Sequence, residues 1–181
     1  MDLINFEKTA IFIDGNYLKE ILKDNFFIDY LKLCKEICNI TKLNRLRTYF
    51  YTCLPIVRKN NKIDVKKHSS MQQFLSKLKR LPRFEIKLGK LQLIGNEFKQ
   101  KMVDVLMSLD IVDMCFNKNI QHIILVAGDS GFVPAIKKAK DYGAIVHLFY
   151  HSKSVHNELL DTADELHEIN TDLINKSKLL K

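Results

Sequence analysis

No stretch of this 181-residue chain reaches the roughly 18 consecutive apolar residues that a membrane-spanning helix needs. Nor does the opening "MDLINFEK" place a basic segment ahead of an apolar one, so no secretory leader is expected. Cysteine is sparse. Cys34, Cys38, Cys53 and Cys115 lack the paired spacing of a zinc ribbon. Cys34 and Cys38 stand four apart in a helical pattern and read as core thiols of a reduced, cytoplasmic protein; an inter-helix disulfide is the lesser alternative. No GxGxxG or Walker A sequence occurs, which leaves the nucleotide-cradling loops without a signal. His147, His151 and His156 have no accepted metal spacing and read as scattered surface or core residues. Repeats, low-complexity tracts and domain linkers are also missing, so the whole of 1–181 is expected to form one domain.

Apolar residues make up 46% of the chain, enough for a substantial core, and the net charge is +8. The placement of that charge is uneven. Between 58 and 90 lie eleven basic residues, from Arg58, Lys59, Lys62, Lys66 and Lys67 through to Lys90, against only Asp64 and Glu85. That segment therefore carries +9 and the remainder about −1. Two readings stand: a surface for a polyanion, or a solvated lysine-rich face.

Apolar runs and helical spacings alternate along the chain. Thr9–Asp14 is a short apolar run suited to a strand covered on both faces, and helical spacing follows over Tyr17–Leu22 and Tyr30–Cys38. Arg45–Leu54 is aromatic, β-branched and alternating, as expected of a second strand. A polar, basic loop is expected over Arg58–Ser70, followed by a helix carrying Met71, Phe74, Leu75, Leu78 and Leu81. Alternation around Gly89 predicts a further strand with a short hairpin extension, and Gln100–Phe116 a long apolar helix buried against a sheet. "HIILVAG" reads as a parallel strand, "FVPAIKKAKDYG" as a helix with Pro134 in its first turn and Gly143 at its C-cap, and "AIVHLFY" as the last strand. Two short acidic helical stretches close the chain. The pattern predicts an α/β three-layer sandwich around a mainly parallel, Rossmann-like sheet.

In such sheets ligands gather at the carboxyl ends of strands, near the point where strand order reverses. Two strands end in an aspartate: "FIDGN" at Asp14 and "VAGDS" at Asp129. Asp104 is the only charge between Lys101 and Asp110 in an otherwise apolar helix, so its burial would demand a cation as partner. Three converging carboxylates repel one another unless a divalent cation neutralises them, and an all-oxygen set suits Mg²⁺ or Mn²⁺ rather than zinc. Asn16 is placed to orient a water on that cation, and Ser130 to hydrogen-bond a carboxylate or phosphate. Each acid has a plainer reading: Asp14 a turn residue, Asp129 (or Ser130 beside it) the N-cap of the helix at Phe132, Asp104 a complement to a helix N-terminus. Asp110 lies some 240° around its helix from Asp104, so a structural ion pair is as good a reading for it as a metal role.

"AIFIDGNYL", "QKMVDVLMSLDI" and "IILVAGDSGFVPAIKKAKDYGAIV", in this order and spacing, resemble the NYN domain of the PIN-like nuclease superfamily, and most of all its LabA-like subgroup. "ELLDTADELHEI" resembles that subgroup's ending, and the likeness spans roughly 8–170. The resemblance implies a PIN-like fold and a Mg²⁺- or Mn²⁺-dependent ribonuclease with Asp14, Asp104 and Asp129 as its catalytic, metal-holding acids. It also carries over Asn16, Lys101 and, as a further recurrent acid, Asp110. One position departs from the pattern: Gly131 stands where the family has a second aspartate. The expected partner is RNA, single-stranded, contacted by Lys101, Ser130, Arg58, Lys59, Lys66 and Lys67, with the loop over Arg58–Ser70 closing on it. A second copy of the chain is a further candidate partner, and no membrane is expected. Tyr49 and Tyr51 are candidates for base stacking, with core packing the plainer role. The alternative function is a non-catalytic RNA-binding or scaffold protein with a degenerate site, motivated by Gly131. A phosphatase with Asp14 as nucleophile ranks last, because Asn16 stands where a second aspartate would be required.

Overall fold

The first strand, β1 (Thr9–Asp14), is buried along its whole length. The structure, a computed structural model, describes residues 8–22, 28–58, 61–94 and 97–179, the side chains of 90–101 excepted. Residues of β1 alternate between two cores: Ala10 and Phe12 point to one, Ile11 and Ile13 to the other. A continuous apolar run is what a strand with helices over both faces requires. β1 pairs in parallel with β2 (Arg45–Cys53) on one side and β5 (His122–Val126) on the other. β3 (Phe84–Ile94), β4 (Glu97–Lys101), β6 (Ile145–Tyr150) and β7 (Glu165–Glu168) complete a seven-stranded sheet in the order β4-β3-β2-β1-β5-β6-β7. Six strands are parallel; β4 alone is antiparallel and forms the hairpin extension of β3.

The chain travels outward from β1 through β2 and β3, then returns to the other side of β1 and travels outward again. The reversal lies between β1 and β5, whose last paired residues are Ile13 and Val126. One face of the sheet is covered by α4 (Val103–Phe116) and α5 (Val133–Asp141), through Met107, Ile111, Val133 and Ile136. The other is covered by α1 (Gly15–Leu22), α2 (Tyr30–Thr41), α3 (Lys62–Lys79) and α7 (Thr171–Lys176), through Leu18, Leu33, Ile37, Leu75, Leu78 and Leu173. Truncating one of the fully buried residues, such as Ile124, to alanine would cost about 2–5 kcal/mol. The short α6 (Asn157–Thr162) leads into β7. The four cysteines are free thiols, and Cys34 Sγ lies 3.4 Å from Thr48 Oγ1 inside the core. No described helix is long and apolar enough to cross a membrane.

Three expectations need correction. The loop expected over Arg58–Ser70 is helical from Lys62, capped by Asn61, whose side chain accepts from Ile63 N (3.0 Å) and Asp64 N (3.1 Å). In its first two turns the apolar Ile63 and Val65 are exposed and the buried residue is Asp64, so the apolar spacing stays silent until Met71. Gln100 and Lys101 belong to β4, and the helix after it begins at Val103, beyond a left-handed residue at Met102 (φ 74°). That helix is buried against the sheet as expected, through Val103, Met107, Ile111 and Cys115, while Val105, Leu109 and Phe116 on its other face are exposed despite its apolar composition. Finally, β7 replaces part of the acidic helical tail: a four-residue edge strand, mostly exposed, carries no apolar run to reveal it.

Candidate active site

Asp14 closes β1, and the chain turns at once into α1. Gly15 permits that turn, since a Cβ there would sit 2.8 Å from the carbonyl of Tyr51 and closer still to the Phe50 ring. The Asp14 carboxylate accepts from Asn16 N (2.9 Å) and Tyr17 N (3.1 Å), satisfying two amides of the first turn of α1. It is nearly buried, and burial pushes its pKa up to about 6. The two amide bonds oppose that rise, while the charges of Asp104 and Asp129 add to it. Asp104, the second residue of α4, also has its pKa raised, first by partial desolvation and then by Asp129. These three acids, from the end of β1, the start of α4 and the turn after β5, are thus one electrostatically coupled set.

The set is open. Asp129 is exposed, and its Oδ1 accepts from Gly131 N at 2.7 Å, capping the single turn of 3₁₀ helix at Ser130–Phe132. It thus caps this short turn and not α5, which has no side-chain cap bond at Phe132, and the role coexists with the coupling to Asp14 and Asp104. Asp104 is exposed and only partly desolvated, so the full burial that would demand a cation as partner is not met there. Among the described residues the oxygens of the three acids do not come within 4.8 Å of one another; His147, Glu165 and His167 form the one trio of metal-binding side chains that does. Asp110 stands apart: it accepts from Tyr51 Oη at 2.8 Å and pairs with Lys87 Nζ at 3.2 Å. That is the structural ion pair anticipated for it. Tyr51 is completely buried, and Tyr49 stacks on Phe12 at 5.4 Å, so both tyrosines are packing residues.

Two cavities meet at Asn16. The smaller, of about 450 Å³, is polar and holds Asp14, Asp129, Tyr17, Glu20, Lys153 and His156 among its walls. Its far wall is the loop after β6, pinned by His151 N donating to Tyr17 Oη (2.8 Å) and His156 N donating to the Gly128 carbonyl (3.0 Å). Gly128 allows this approach because a Cβ would lie 2.1 Å from the carbonyl of Ser154. Glu20, Lys153 and His156 are additions that the sequence pattern does not supply. Glu20 was within reach, one helical turn beyond Asn16 on the same face of α1; the loop residues arrive only through the tertiary fold.

The larger cavity, of about 1160 Å³, runs between α1 and α3. Its floor is apolar and aromatic, with Tyr30, Phe50, Met71 and Phe74, and its rim carries Asn16, Arg58, Lys66 and Lys67. Arg58 also grips Asp64 through Nε (2.6 Å) and Nη2 (3.1 Å), which ties the segment before α3 to its first turn. The basic segment is divided. α3 spans about 27 Å, so Lys66 and Lys67 sit at the cavity while Lys77, Lys79 and Arg80 lie at its opposite end. Ser130 is half-buried in the turn after Asp129. Lys59 and the side chain of Lys101 lie outside the described residues.

A parallel sheet whose reversal point presents coupled carboxylates, beside a cavity with a basic rim, defines a PIN-like α/β domain with an acidic site. The family model of the NYN domain matches residues 8–170, and the chain belongs to that family. An uncharacterized protein of Methanocaldococcus jannaschii is 35% identical over 80 residues, which are 44% of this chain and 33% of that protein. The chain thus matches only about a third of that relative's length. A crystal structure of a protein of unknown function from Vibrio parahaemolyticus superposes with a TM-score of 0.65 at 19% identity, covering 95% of this chain and 98% of the other. At that identity the likeness is one of fold.

Proposed function

We propose that this NYN domain is a divalent-metal-dependent ribonuclease of the LabA-like subgroup, acting on single-stranded RNA. The observation that carries the reading is the electrostatic coupling of Asp14, Asp104 and Asp129, brought from three separate elements to the reversal point of the sheet. The donors fit a hard cation. All are carboxylate oxygens, and among the described residues no basic side chain pairs with any of them. Asp14, Asp104 and Asp129 would hold Mg²⁺ or Mn²⁺, which supplies Lewis-acid activation of water and neutralises charge developing on the phosphate. Asp14 is held rigidly by its two amide bonds. Asn16 stands between the polar site and the larger cavity, placed to orient the phosphodiester. Lys66 and Lys67 would contact the backbone, and the aromatic floor offers stacking surfaces for bases.

A second reading, RNA binding without cleavage, is favoured by one specific feature. Asp129 uses an oxygen to cap its own turn, and Gly131 provides no further acid beside it. The Asp129→Asn variant separates the two. The nuclease reading expects loss of cleavage of labelled single-stranded RNA with binding kept or improved. An unchanged, Mn²⁺-dependent cleavage rate would refute it, and a wild type that binds RNA but cleaves none under any metal would favour the binding module.

A further inference from the structure

Three histidines far apart in sequence meet on the face of the sheet opposite α4 and α5. His122 opens β5, His147 lies in β6, and His167 lies in β7. The register places His147 beside Glu165 and Phe149 beside His167. His147 is 97% buried and His122 nearly so. His147 Nε2 lies 3.1 Å from His122 Nδ1. His147 Nδ1 lies 3.1 Å from Glu165 Oε2, and His167 Nε2 lies 3.6 Å from the same oxygen. Among the described residues neither of those two nitrogens has a partner in good hydrogen-bond geometry, close as they are to the carboxylate.

An unpartnered nitrogen in a buried imidazole is costly, and two around one carboxylate oxygen call for an explanation. A neutral His147 that donates Nε2–H to His122 leaves Nδ1 as a bare lone pair. That lone pair then faces the lone pairs of Glu165, an arrangement that is repulsive without something positive between them; the opposite tautomer avoids the repulsion but leaves the Nδ1–H without a well-aligned acceptor. A metal ion resolves the conflict.

We propose that His147 Nδ1, His167 Nε2 and Glu165 Oε2 form a transition-metal site, suited to Zn²⁺, with His122 orienting His147 from behind. Ligands about 2.0–2.2 Å from a tetrahedral zinc lie about 3.4 Å from one another, and the two nitrogen–oxygen separations, 3.1 and 3.6 Å, bracket that value. All three ligand atoms lie within 4.8 Å of one another. Two imidazoles and one carboxylate are a zinc set rather than a magnesium set. The His122 contact supplies the outer hydrogen bond that metal-binding histidines ordinarily make. His167 is fixed by stacking on Phe149 at 4.7 Å. Glu165 is half-exposed and leaves a route for the ion to enter.

This site is separate from the acidic one. His147 is in register with Ile124 and, through it, Ile11, three residues before Asp14 and two strands away. That is about 10 Å along the strands and about 10 Å across them. Its structural effect is to clamp the short edge strand β7 to β6.

The test uses the full chain, stripped with a chelator and dialysed metal-free, then titrated with Zn²⁺ and, for its visible spectrum, with Co²⁺. Expected are one equivalent of Zn²⁺ bound at micromolar concentration or tighter, a tetrahedral Co²⁺ spectrum, and a melting temperature raised by several degrees. Glu165→Gln and His167→Gln, both at partly exposed positions, should weaken binding at least tenfold with unchanged circular dichroism, and His122→Gln by about 10–100-fold. Asp14→Asn should leave binding intact. No binding by the wild type overturns the proposal. So does Zn²⁺ that survives in Glu165→Gln and His167→Gln but disappears in Asp14→Asn, because that ion sits among the aspartates.

Discussion

Replacing Asp14 by asparagine should make the metal-free protein more stable at neutral pH, although it removes a central site residue. The Asn16 and Tyr17 amides donate to a single oxygen of Asp14, and an asparagine Oδ1 can accept both bonds. What the substitution removes is a charge that burial, Asp104 and Asp129 all oppose. A pKa raised from 3.8 to about 6 corresponds to about 3 kcal/mol of penalty on the ionised form, at about 1.36 kcal/mol per pH unit. Between about pH 4 and pH 6 the folded state holds more protons than the unfolded chain. Stability therefore falls as pH rises through that window, and the full penalty applies above about pH 6. Urea unfolding in chelator should show Asp14→Asn more stable than wild type by about 1–3 kcal/mol at pH 8, with the difference vanishing near pH 4. Saturating Mn²⁺ should reverse the order at pH 8, since only the wild type keeps the carboxylate. An Asp14→Asn variant that is less stable in chelator at pH 8, or a difference independent of pH, would refute the electrostatic account of the site.

Other acids should respond differently. Asp110→Asn should cost about 1–3 kcal/mol by weakening the bonds to Tyr51 and Lys87, while leaving metal affinity largely unchanged. Asp104→Asn should show the converse in parallel unfolding and Mn²⁺ titrations. Gly128→Ala should lower stability by about 2–4 kcal/mol in denaturant unfolding, because its Cβ would collide with the Ser154 carbonyl and the Tyr17 ring. Reversing charge at the cavity rim with Lys66→Glu and Lys67→Glu should weaken single-stranded RNA binding. Its log–log salt dependence should flatten by roughly 1.4, about 0.7 for each phosphate that a lysine no longer neutralises.

The layered fold was legible because its strands are apolar throughout, as Thr9–Asp14 and His122–Val126 show, and its helices keep a regular spacing on their buried faces. Asp14 and Asp129 were legible for the same reason, the first closing a buried strand and the second lying three residues past the end of one. Where burial is weak the sequence falls silent. The first turns of α3 expose Ile63 and Val65 and bury a charged residue, Asp64, and β7 is an edge strand with little apolar content, so neither element left a pattern. Composition misled once: α4 is apolar nearly all round, yet Asp104, Val105 and Leu109 are exposed. The histidine cluster was invisible because its ligands come from separate strands and meet only through sheet register. The walls contributed by Lys153 and His156 depend likewise on a loop packing across Gly128.

Whether Asp14, Asp104 and Asp129 act together on RNA through a divalent cation is decided by one assay. Purified protein is incubated with end-labelled single-stranded RNA, with and without Mn²⁺, for wild type and Asp14→Asn. A product ladder that requires Mn²⁺ and disappears in the variant is expected. Cleavage that persists in chelator, or survives Asp14→Asn at the wild-type rate, would show that the three carboxylates are not the catalytic centre.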